Sequence, residues 1–377
     1  MAPVEEHADI RDAVSGVLAD LADHDAVRAA AESAEGFSRE VWTALTQDVS
    51  IAAMTVPEGA GGLGFTLREL AVVLEESGAA LLTEPVVVSA VLGARAVSAR
   101  LAAGEDAALP GVDLTGVLDG SLIITTWLGE GAGAGLQAEE RDGGWVLSGV
   151  ADAVQHANTA GYAVLTAAAG GGEGVFLVSL ESDTPSGSQG ALGIERQESL
   201  DLTRRLSRLR LDEARALRLD DSGGADATVL RQLRTLALAA EHTGMIDRLL
   251  TITRGYLLQR EQFGRPLASF QALKHRMADL LVDLERARSA ARYAAAVFDT
   301  AEPGERALAV AIAGSVCLDA VLHTAYEAVQ LNGGTGFTWE HPAHYYLRRA
   351  LGDEALYGSG ADRREGIANL VLAGAGQ

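Results

Sequence analysis

The sequence contains little cysteine, proline or aromatic character. Among its 377 residues there are 1 cysteine and 8 prolines, and aromatic side chains make up 5% of the chain. A single cysteine cannot form an internal disulfide, so a disulfide-stapled scaffold is excluded. The apolar setting VCLDAV predicts that Cys317 packs as a small hydrophobic side chain on a helix. With 48% hydrophobic residues, the chain is expected to form two or three globular domains.

Basic residues are also scarce. The chain has 30 Lys and Arg against 52 Asp and Glu, a formal net charge of −22, which repels nucleic-acid phosphates and anionic membranes. The longest nearly apolar run, residues 307 to 318, is shorter than the roughly 20 residues that span a bilayer. The acidic start MAPVEEHADIRD is unlike a secretion signal. These features predict a cytoplasmic protein without nucleic-acid or membrane partners.

The hydrophobic pattern divides the chain into three parts. From residue 8 to about 100 the apolar spacing is helical, and the loop VPEGAGGLG separates two helices. Next, the runs SLIITTWL, GGWVLSG, YAVLTAAA, GVFLVSL and RLSRLRLDEA predict strands. The helical period returns from about 226. We predict an α+β protein with an N-terminal α-helical domain at 1–118, a middle β-barrel-like domain at 119–222 and a C-terminal helical bundle at 223–377.

Two segments invite a chemical interpretation. In YLLQREQFGRPLASFQ one helix should end near Arg260, so that Arg260, Gln262 and Phe263 lie at a corner where they could grip a phosphate and cover a flat ligand. In AVQLNGGTGFTWEHP a helix runs into Gly333 and Gly334, which allow close backbone approach to a ligand. The alternatives are a helix–helix turn with surface charges and a glycine-capped helix end.

Together these segments resemble the acyl-CoA dehydrogenase family of flavoproteins. The resemblance rests on VPEGAGGLG, ESLDLTRRLSRLRLDEA, REQFGRPLASFQALKHRMADL and QLNGGTGF followed by HPAHYYLRRA, in order along nearly the whole chain. It implies a helical N-terminal domain, a β-barrel-like middle domain and a C-terminal four-helix bundle that builds dimers or tetramers.

The resemblance also implies a cofactor, a substrate and an electron acceptor. FAD would bind at a subunit interface, and the residues reaching across to the neighbour's FAD would be Arg260, Gln262, Phe263, Gln330, Gly333 and Gly334. Gln155 and Ser359 are further candidate cofactor contacts. The family reaction removes an α-proton and a β-hydride from an acyl-CoA, which implies an acyl-CoA substrate and an acceptor like electron-transfer flavoprotein.

This reaction needs a base, and the usual base positions are not acidic here. A glutamate in an apolar pocket suits the role, because desolvation raises its pKa. Ungapped counting places Tyr357 at one family position and Arg234 at the other. A phenol with a pKa near 10 is a poor substitute at neutral pH.

A displaced base is one possibility. The nearest acid on the same helix is Glu241, about 10 Å along the axis from Arg234, and it is the candidate catalytic residue. Glu241 is alternatively a structural carboxylate paired with His242, Arg248 or a neighbouring helix. Asp353 and Glu354 are further acids that could serve.

The side of the chain that would face its own flavin departs from the family as well. TTWLGEGAGAG stands in place of a TEPxAGSD-like stretch, and Ala153 and Gln155 replace the usual Trp and Thr of a flavin-lining strand. His156 replaces an Asn, and could either hydrogen-bond the flavin or fill a narrowed pocket. Residues that would reach a partner's FAD are kept, whereas those that would act on the chain's own flavin are altered.

This asymmetry suggests a base-lacking subunit of a heteromeric acyl-CoA dehydrogenase. The motifs most resemble the sequences of the bacterial branch that handles bulky steroid-type thioesters. A self-sufficient homo-oligomeric dehydrogenase and an interaction protein that has lost flavin are the alternatives.

Two further groups of residues are weaker candidates. Arg204, Arg205, Arg208 and Arg210 could attract CoA phosphates, but alternation on a strand predicts one solvated charged face instead. The 8 histidines lack HExxH or another metal-binding spacing, so no metal site is predicted.

Overall fold

A computed structural model describes residues 5–102, 112–129, 135–180, 192–220 and 226–374. Residues 130–134 of the TTWLGEGAGAG stretch lie outside this part of the chain. The described residues form an N-terminal helical part, a middle sheet and a C-terminal set of long helices. The predicted α+β fold class is therefore confirmed, whereas the exact domain limits stay predictions.

The N-terminal part consists of short and medium helices. They are α1 Glu5–Leu21, α2 His24–Glu32, α3 Arg39–Thr43, α4 Leu67–Ala80, α5 Ala94–Ala102 and α6 Leu114–Leu118, with π-helical turns at Ala44–Asp48 and Val86–Gly93. The loop VPEGAGGLG does separate helices, and its Gly61 adopts a φ of +83°. Helix α4 then begins with a capping box in which Thr66 and Glu69 bond each other's backbone N–H groups.

The middle part is a seven-stranded sheet. Its strands are β1 Ile124–Trp127, β2 Leu136–Arg141, β3 Gly144–Gln155, β4 Tyr162–Ala169, β5 Gly172–Ser179, β6 Leu192–Arg196 and β7 Leu206–Arg218. The pairings β4–β2, β2–β3, β3–β7, β7–β5 and β5–β4 close a ring, with β1 added to β4 and β6 to β7. A closed ring is a barrel, and its own apolar cluster fills it.

The C-terminal part is built from long helices. They are α7 Ala227–Gln259, α8 Gln271–Val297, α9 Pro303–Asn332, α10 Ala343–Tyr357 and α11 Gly360–Gly374, with a small hairpin of β8 Glu261–Gln262 and β9 Arg265–Pro266 between α7 and α8. Helix α9 packs against all the others of this set. As predicted, Cys317 on α9 is buried, and burial raises the pKa of its thiol to about 12.

The N-terminal helix α4 crosses α7 at unusually short range. A Cβ added to Gly78 would lie 2.0 Å from the Glu241 carbonyl oxygen, and one added to Gly244 would lie 1.7 Å from that of Glu75. Only glycine permits such backbone contact. The crossing fixes the stretch of α7 that carries Glu241.

Helix α9 is long and apolar enough to cross a membrane by length and composition, with a hydropathy of 1.7 over Pro303–Leu331. However, 56% of that window is buried inside the protein. The core helix of a soluble bundle has the same composition, so this helix is weak evidence for a membrane span.

Candidate functional site

The predicted corner after α7 is a two-residue hairpin turn. Arg260 caps α7, and the strands β8 and β9 bring Gln262 opposite Arg265. Phe263 and Gly264 form the tip with φ values of +56° and +75°. Phe263 is 90% exposed, with only the edge of its ring near Phe270, 6.1 Å between centroids. Arg260 and Gln262 are also exposed, so this corner is available to a group outside the chain.

The second predicted segment lies at the end of α9. Gly333 caps the helix with a φ of +60°, and an added Cβ at Gly333 or Gly334 would meet no atom within 4 Å. Gln330 is exposed one turn earlier. Thus the glycine-capped helix end is what the structure shows, and the glycine backbone is open to close approach by a ligand.

The two segments emerge at the same end of the bundle. Helices α7 and α9 pack directly against each other, and their carboxyl-terminal parts meet. Asn332 ties them together, because its Nδ2 donates a hydrogen bond to Thr253 Oγ1 of α7 over 3.2 Å. The corner and the glycine turn together form what we call the exposed edge: Arg260, Gln262, Phe263, Gln330, Gly333 and Gly334.

Both usual base positions meet at one cleft between the barrel and the bundle. Gln155 Nε2, at the end of β3, donates a hydrogen bond to Tyr357 Oη, at the end of α10. The Arg234 guanidinium lies 4.6 Å from the centroid of the Tyr357 ring. The cleft measures 210 Å³ and is lined further by Val88, Thr126, Trp127, Leu128, Gly129, Asp152, Ala153 and Leu356. Gln155, Tyr357 and Arg234 thus line the cleft together.

Tyr357 is a poor proton acceptor in this setting. Burial raises its pKa above the ordinary phenol value, against the opposing attraction of Arg204 and Arg234. At neutral pH the side chain is therefore a neutral phenol, which can accept the Gln155 hydrogen bond but cannot take up a carbon-bound proton.

A buried cluster of charges lies beside the cleft. Arg204 Nε and one terminal nitrogen donate to both oxygens of Asp353, over 2.8 and 3.1 Å. The same terminal nitrogen donates to Glu241 Oε2 over 3.0 Å. His242 Nε2 lies 3.1 Å from Asp353 Oδ2. Arg204, Glu241, Asp353 and His242, here called the Arg204 cluster, are all at most 7% exposed.

The ionisation of Asp353 follows from these contacts. Burial alone would raise the pKa of Asp353, but attraction to Arg204 and the hydrogen bond with His242 outweigh it and hold the pKa well below its usual range. Asp353 is therefore a firmly ionised carboxylate, and a carboxylate of that kind is a weak base.

The prediction that four arginines from Arg204 to Arg210 share one solvated strand face is wrong for two of them. Arg204 and Arg205 do not belong to a solvated strand face, because β7 starts only at Leu206 and both guanidinium groups are buried. Only Arg208 and Arg210 face solvent, where they pair with Asp152 and Glu195. Nothing in the alternation of this stretch marks where the strand begins.

The predicted partners of Glu241 are also wrong. The partner is Arg204 from the barrel side rather than His242 or Arg248. His242 instead contacts Asp353, which lies 111 positions away in sequence. Local spacing cannot reveal a partner that only the tertiary fold brings close.

Two further candidates have structural partners. Ser359 Oγ accepts from the Asp362 N–H over 3.3 Å and donates to Asp362 Oδ2 over 2.7 Å, which caps α11. His156 follows Gln155 with a φ of +54° and is 2% exposed. Its ring packs edge-on to Phe37, 5.7 Å between centroids, so it fills space inside the protein. A cofactor role for Ser359 or Gln155 stays a prediction.

Comparison with known proteins identifies the family. The family model described as acyl-CoA dehydrogenase, N-terminal domain, matches residues 4–106, and the model for the C-terminal domain matches residues 227–372. The chain belongs to the acyl-CoA dehydrogenase family. Members of this family are FAD-dependent oxidoreductases that act on CH–CH bonds.

Individual relatives cover the whole chain. An acyl-CoA dehydrogenase called IpdE2 from Mycobacterium tuberculosis is 34% identical over 357 residues, which is 94% of each chain. Among solved structures, a variant of the Tcur3481–Tcur3483 steroid ACAD matches with a TM-score of 0.85 and 29% identity over 99% of each chain. The ChsE4–ChsE5 complex from Mycobacterium tuberculosis matches with a TM-score of 0.85 and 28% identity over 98% of each chain.

The two halves of the site differ in how they suit FAD. The exposed edge offers a guanidinium, amides, an aromatic face and open glycine backbone, which suit a pyrophosphate and an adenosine. The cleft does not suit a flavin ring, because 210 Å³ is below the roughly 300 to 1,000 Å³ of ligand pockets and two of its lining side chains, Gln155 and Tyr357, are bonded to each other.

Metal ligands do not converge in the residues that the structure describes, where no group of three or more His, Cys, Asp or Glu side chains is placed to hold an ion. The sequence prediction on metals is not tested by this observation.

Proposed function

We propose that this chain is the base-lacking subunit of a heteromeric FAD-dependent acyl-CoA dehydrogenase. In this proposal its own cleft stays closed, and its exposed edge supports FAD held by a partner subunit that carries the base. The observation that carries the proposal is the cleft itself, where Tyr357 is bonded by Gln155 and covered by Arg234.

The acids near the cleft do not favour a self-sufficient enzyme. Proton abstraction from carbon requires a carboxylate whose lone pairs are free to reach substrate. Glu241 is buried and bonded to Arg204, and Asp353 is held by Arg204 and His242. Glu354 is the neighbour of Asp353 on α10 and belongs to a different helix face. The carboxylates therefore serve the structure in this proposal rather than the reaction.

The exposed edge favours a cofactor role over a scaffold that has lost flavin. The exposed guanidinium of Arg260 and the open backbone of Gly333 and Gly334 are groups that bind a pyrophosphate, which a flavin-free interaction protein does not require.

The relatives support a heteromeric assembly and a bulky substrate. The ChsE4–ChsE5 and Tcur3481–Tcur3483 structures each carry two component names, and the second is called a steroid ACAD. We extend this to the present chain: an oligomer with a second acyl-CoA dehydrogenase subunit, a steroid-type acyl-CoA as substrate, and an acceptor like electron-transfer flavoprotein. A cytoplasmic location remains part of the same proposal.

The first experiment is an absorbance spectrum of the purified chain alone, from 300 to 550 nm, with acyl-CoA thioesters added anaerobically. A colourless protein, or a yellow protein that no acyl-CoA bleaches, is the expected result. A yellow protein bleached by an acyl-CoA would contradict the proposal and would make Glu241 the next residue to replace.

The second experiment tests the exposed edge in the assembled oligomer. Arg260→Ala should lower FAD retention, measured as flavin absorbance per protein after gel filtration, because a charge-assisted contact to pyrophosphate is lost. Arg286→Ala is the control, since that arginine is exposed on α8 and pairs only locally with Asp283. Equal FAD retention in both variants would count against the assignment.

A further inference from the structure

A ring cluster joins the N-terminal helices to the bundle. His24, at the start of α2, packs edge-on to Tyr345, at the start of α10, with 5.3 Å between centroids. His344 lies 4.3 Å from Tyr345 and 5.2 Å from Trp339. The Arg348 guanidinium covers the other side of Trp339 at 4.8 Å. We call His24, Trp339, His344 and Tyr345, with the adjacent His341, the histidine junction.

The hydrogen bonds fix which ring nitrogens carry protons. His344 Nδ1 lies 2.8 Å from the His341 carbonyl oxygen, which can only accept, so Nδ1 carries the proton. In the neutral ring Nε2 is then a bare acceptor. His341 Nδ1 accepts from the Ala343 N–H over 3.3 Å, so its proton lies on Nε2. His341, whose Nδ1 accepts a hydrogen bond, is therefore a neutral imidazole.

Three polar atoms of the junction are buried without a hydrogen-bond partner among the described residues: His24 Nε2, His344 Nε2 and Tyr345 Oη. Tyr345 itself is only 2% exposed. In an imidazolium both ring nitrogens carry protons, so protonated His24 or His344 would have a buried Nε2–H without an acceptor among the described residues, although each residue as a whole is only partly buried. An unpaired buried donor on a cation is costly.

The charges around the junction do not compensate for such cations. Burial lowers the pKa of His24, His341 and His344, and His24 further lowers the pKa of His341 and His344. Arginines approach from every packed element: Arg28 from α2, Arg248 from α7 and Arg348 from α10. The nearby acids are Asp23, Asp25 and Glu32 on α2 and Glu340 before α10. For His24, burial with Arg28 and Arg248 outweighs Asp25 and Asp23, so its pKa is lowered.

We propose that the histidine junction is a proton-operated clasp, which holds α2 against the start of α10 when its imidazoles are neutral and releases α2 when they are protonated. Residues 338–342, which include Trp339 and His341 of the junction, connect the glycine turn Gly333–Phe337 to α10. The last turn of α10 carries Tyr357.

The direction in which pH changes the docking of α2 follows from proton linkage. An unfolded or released histidine titrates near 6.5, whereas the docked rings resist protonation, so the released state binds more protons below that pH. Docking is fully favoured above about pH 6.5 and weakens as the pH falls below it.

Hydrogen exchange of the full-length protein tests the clasp. Between pH 7.5 and 5.5, after correction for intrinsic exchange, amides of α2 should lose protection by at least about threefold, while amides in the middle of α9 keep theirs. The double variant His24→Gln, His344→Gln should lose this pH dependence. His323→Gln is the control and should keep it, because that histidine is exposed and pairs with Asp283.

Two results would overturn the clasp: α2 protection that does not change with pH, or a double variant that keeps the wild-type dependence. Because the double variant could open the junction at every pH, the wild-type histidines are also titrated by NMR. Midpoints below about 6.5 for His24, His341 and His344 support the clasp, and midpoints at or above that value overturn it.

Discussion

Arg204 is the centre of a buried ion cluster between the barrel and the bundle. It enters from the barrel side and neutralises Asp353 and Glu241, both buried on helices of the bundle. A buried ion pair adds little stability when compared with a well-packed apolar group, but removing one partner leaves the other charge uncompensated.

Arg204→Met should therefore lower the free energy of unfolding by about 3–5 kcal/mol, measured by urea denaturation at pH 7. The matched control is Arg208→Met, four residues on, whose guanidinium pairs with Asp152 at the surface. The control should leave the urea midpoint nearly unchanged. Similar shifts in the two variants would show that the Arg204 cluster is not the determinant.

Replacing Tyr357 tests whether this residue takes part in turnover. Tyr357→Phe removes only the hydroxyl that accepts from Gln155 and keeps the ring beneath Arg234. Turnover of the assembled enzyme should stay nearly unchanged, because a neutral phenol supplies no base. The check is the steady-state rate per FAD, and a collapse of that rate would assign Tyr357 a catalytic role.

At the scale of elements, the crossing of α4 and α7 sets the position of the Arg204 cluster. Gly244→Ala would place a Cβ 1.7 Å from the Glu75 carbonyl oxygen, so the helices would have to separate. We expect a loss of about 1–3 kcal/mol in the free energy of unfolding, read from the urea midpoint.

Gly255→Ala provides the comparison on the same helix. An added Cβ there meets nothing within 4 Å, so the better helix propensity of alanine should raise stability by about 0.5–1 kcal/mol. Opposite signs for the two glycines are expected. Stabilisation of similar size at both would mean that helix propensity, rather than the crossing, governs the effect.

Sequence patterns predict some of the strands of the barrel and not others. The five apolar runs taken as strands are strands, because apolar alternation records burial directly. The strands β2 and β6 were missed: most residues of LQAEER and of LGIER are exposed, so neither segment has a run of buried apolar side chains. Only pairing with β3, β4 and β7 makes them strands. Hydrogen bonding between distant segments leaves no local signal of this kind.

At the scale of the whole molecule, two buried groups give opposite pH dependences. Burial raises the pKa of Glu84 to about 7, against the hydrogen bond from the Ser38 N–H. Burial, with repulsion from nearby arginines, lowers the pKa of His156 to about 3. Glu84 thus stabilises most at low pH and loses its contribution as pH rises toward 7. His156 contributes fully above about 6.5 and loses its contribution as pH falls.

Glu84→Gln should reveal the part of the pH dependence of unfolding that comes from His156. Between about pH 4.5 and 6.5 the two slopes oppose each other in the wild type, so removing Glu84 should make the free energy of unfolding rise more steeply with pH, by about 1 kcal/mol per pH unit. Urea denaturation at half-unit pH steps measures the slope. Glu365→Gln, on the exposed face of α11, should keep the wild-type slope, and an unchanged slope in Glu84→Gln would refute the linkage.

The sequence by itself determined the fold class, the family and the position of the exposed edge. These follow from periodicity, turn residues and contiguous motifs, so neighbouring residues such as Arg260, Gln262 and Phe263 carry the information together. Only the tertiary structure decided that Gln155 bonds Tyr357, that Arg204 pairs with Glu241 and Asp353, and that His24 meets Tyr345. The members of each pair are far apart in sequence, and burial and charge compensation act between them only after the chain has folded.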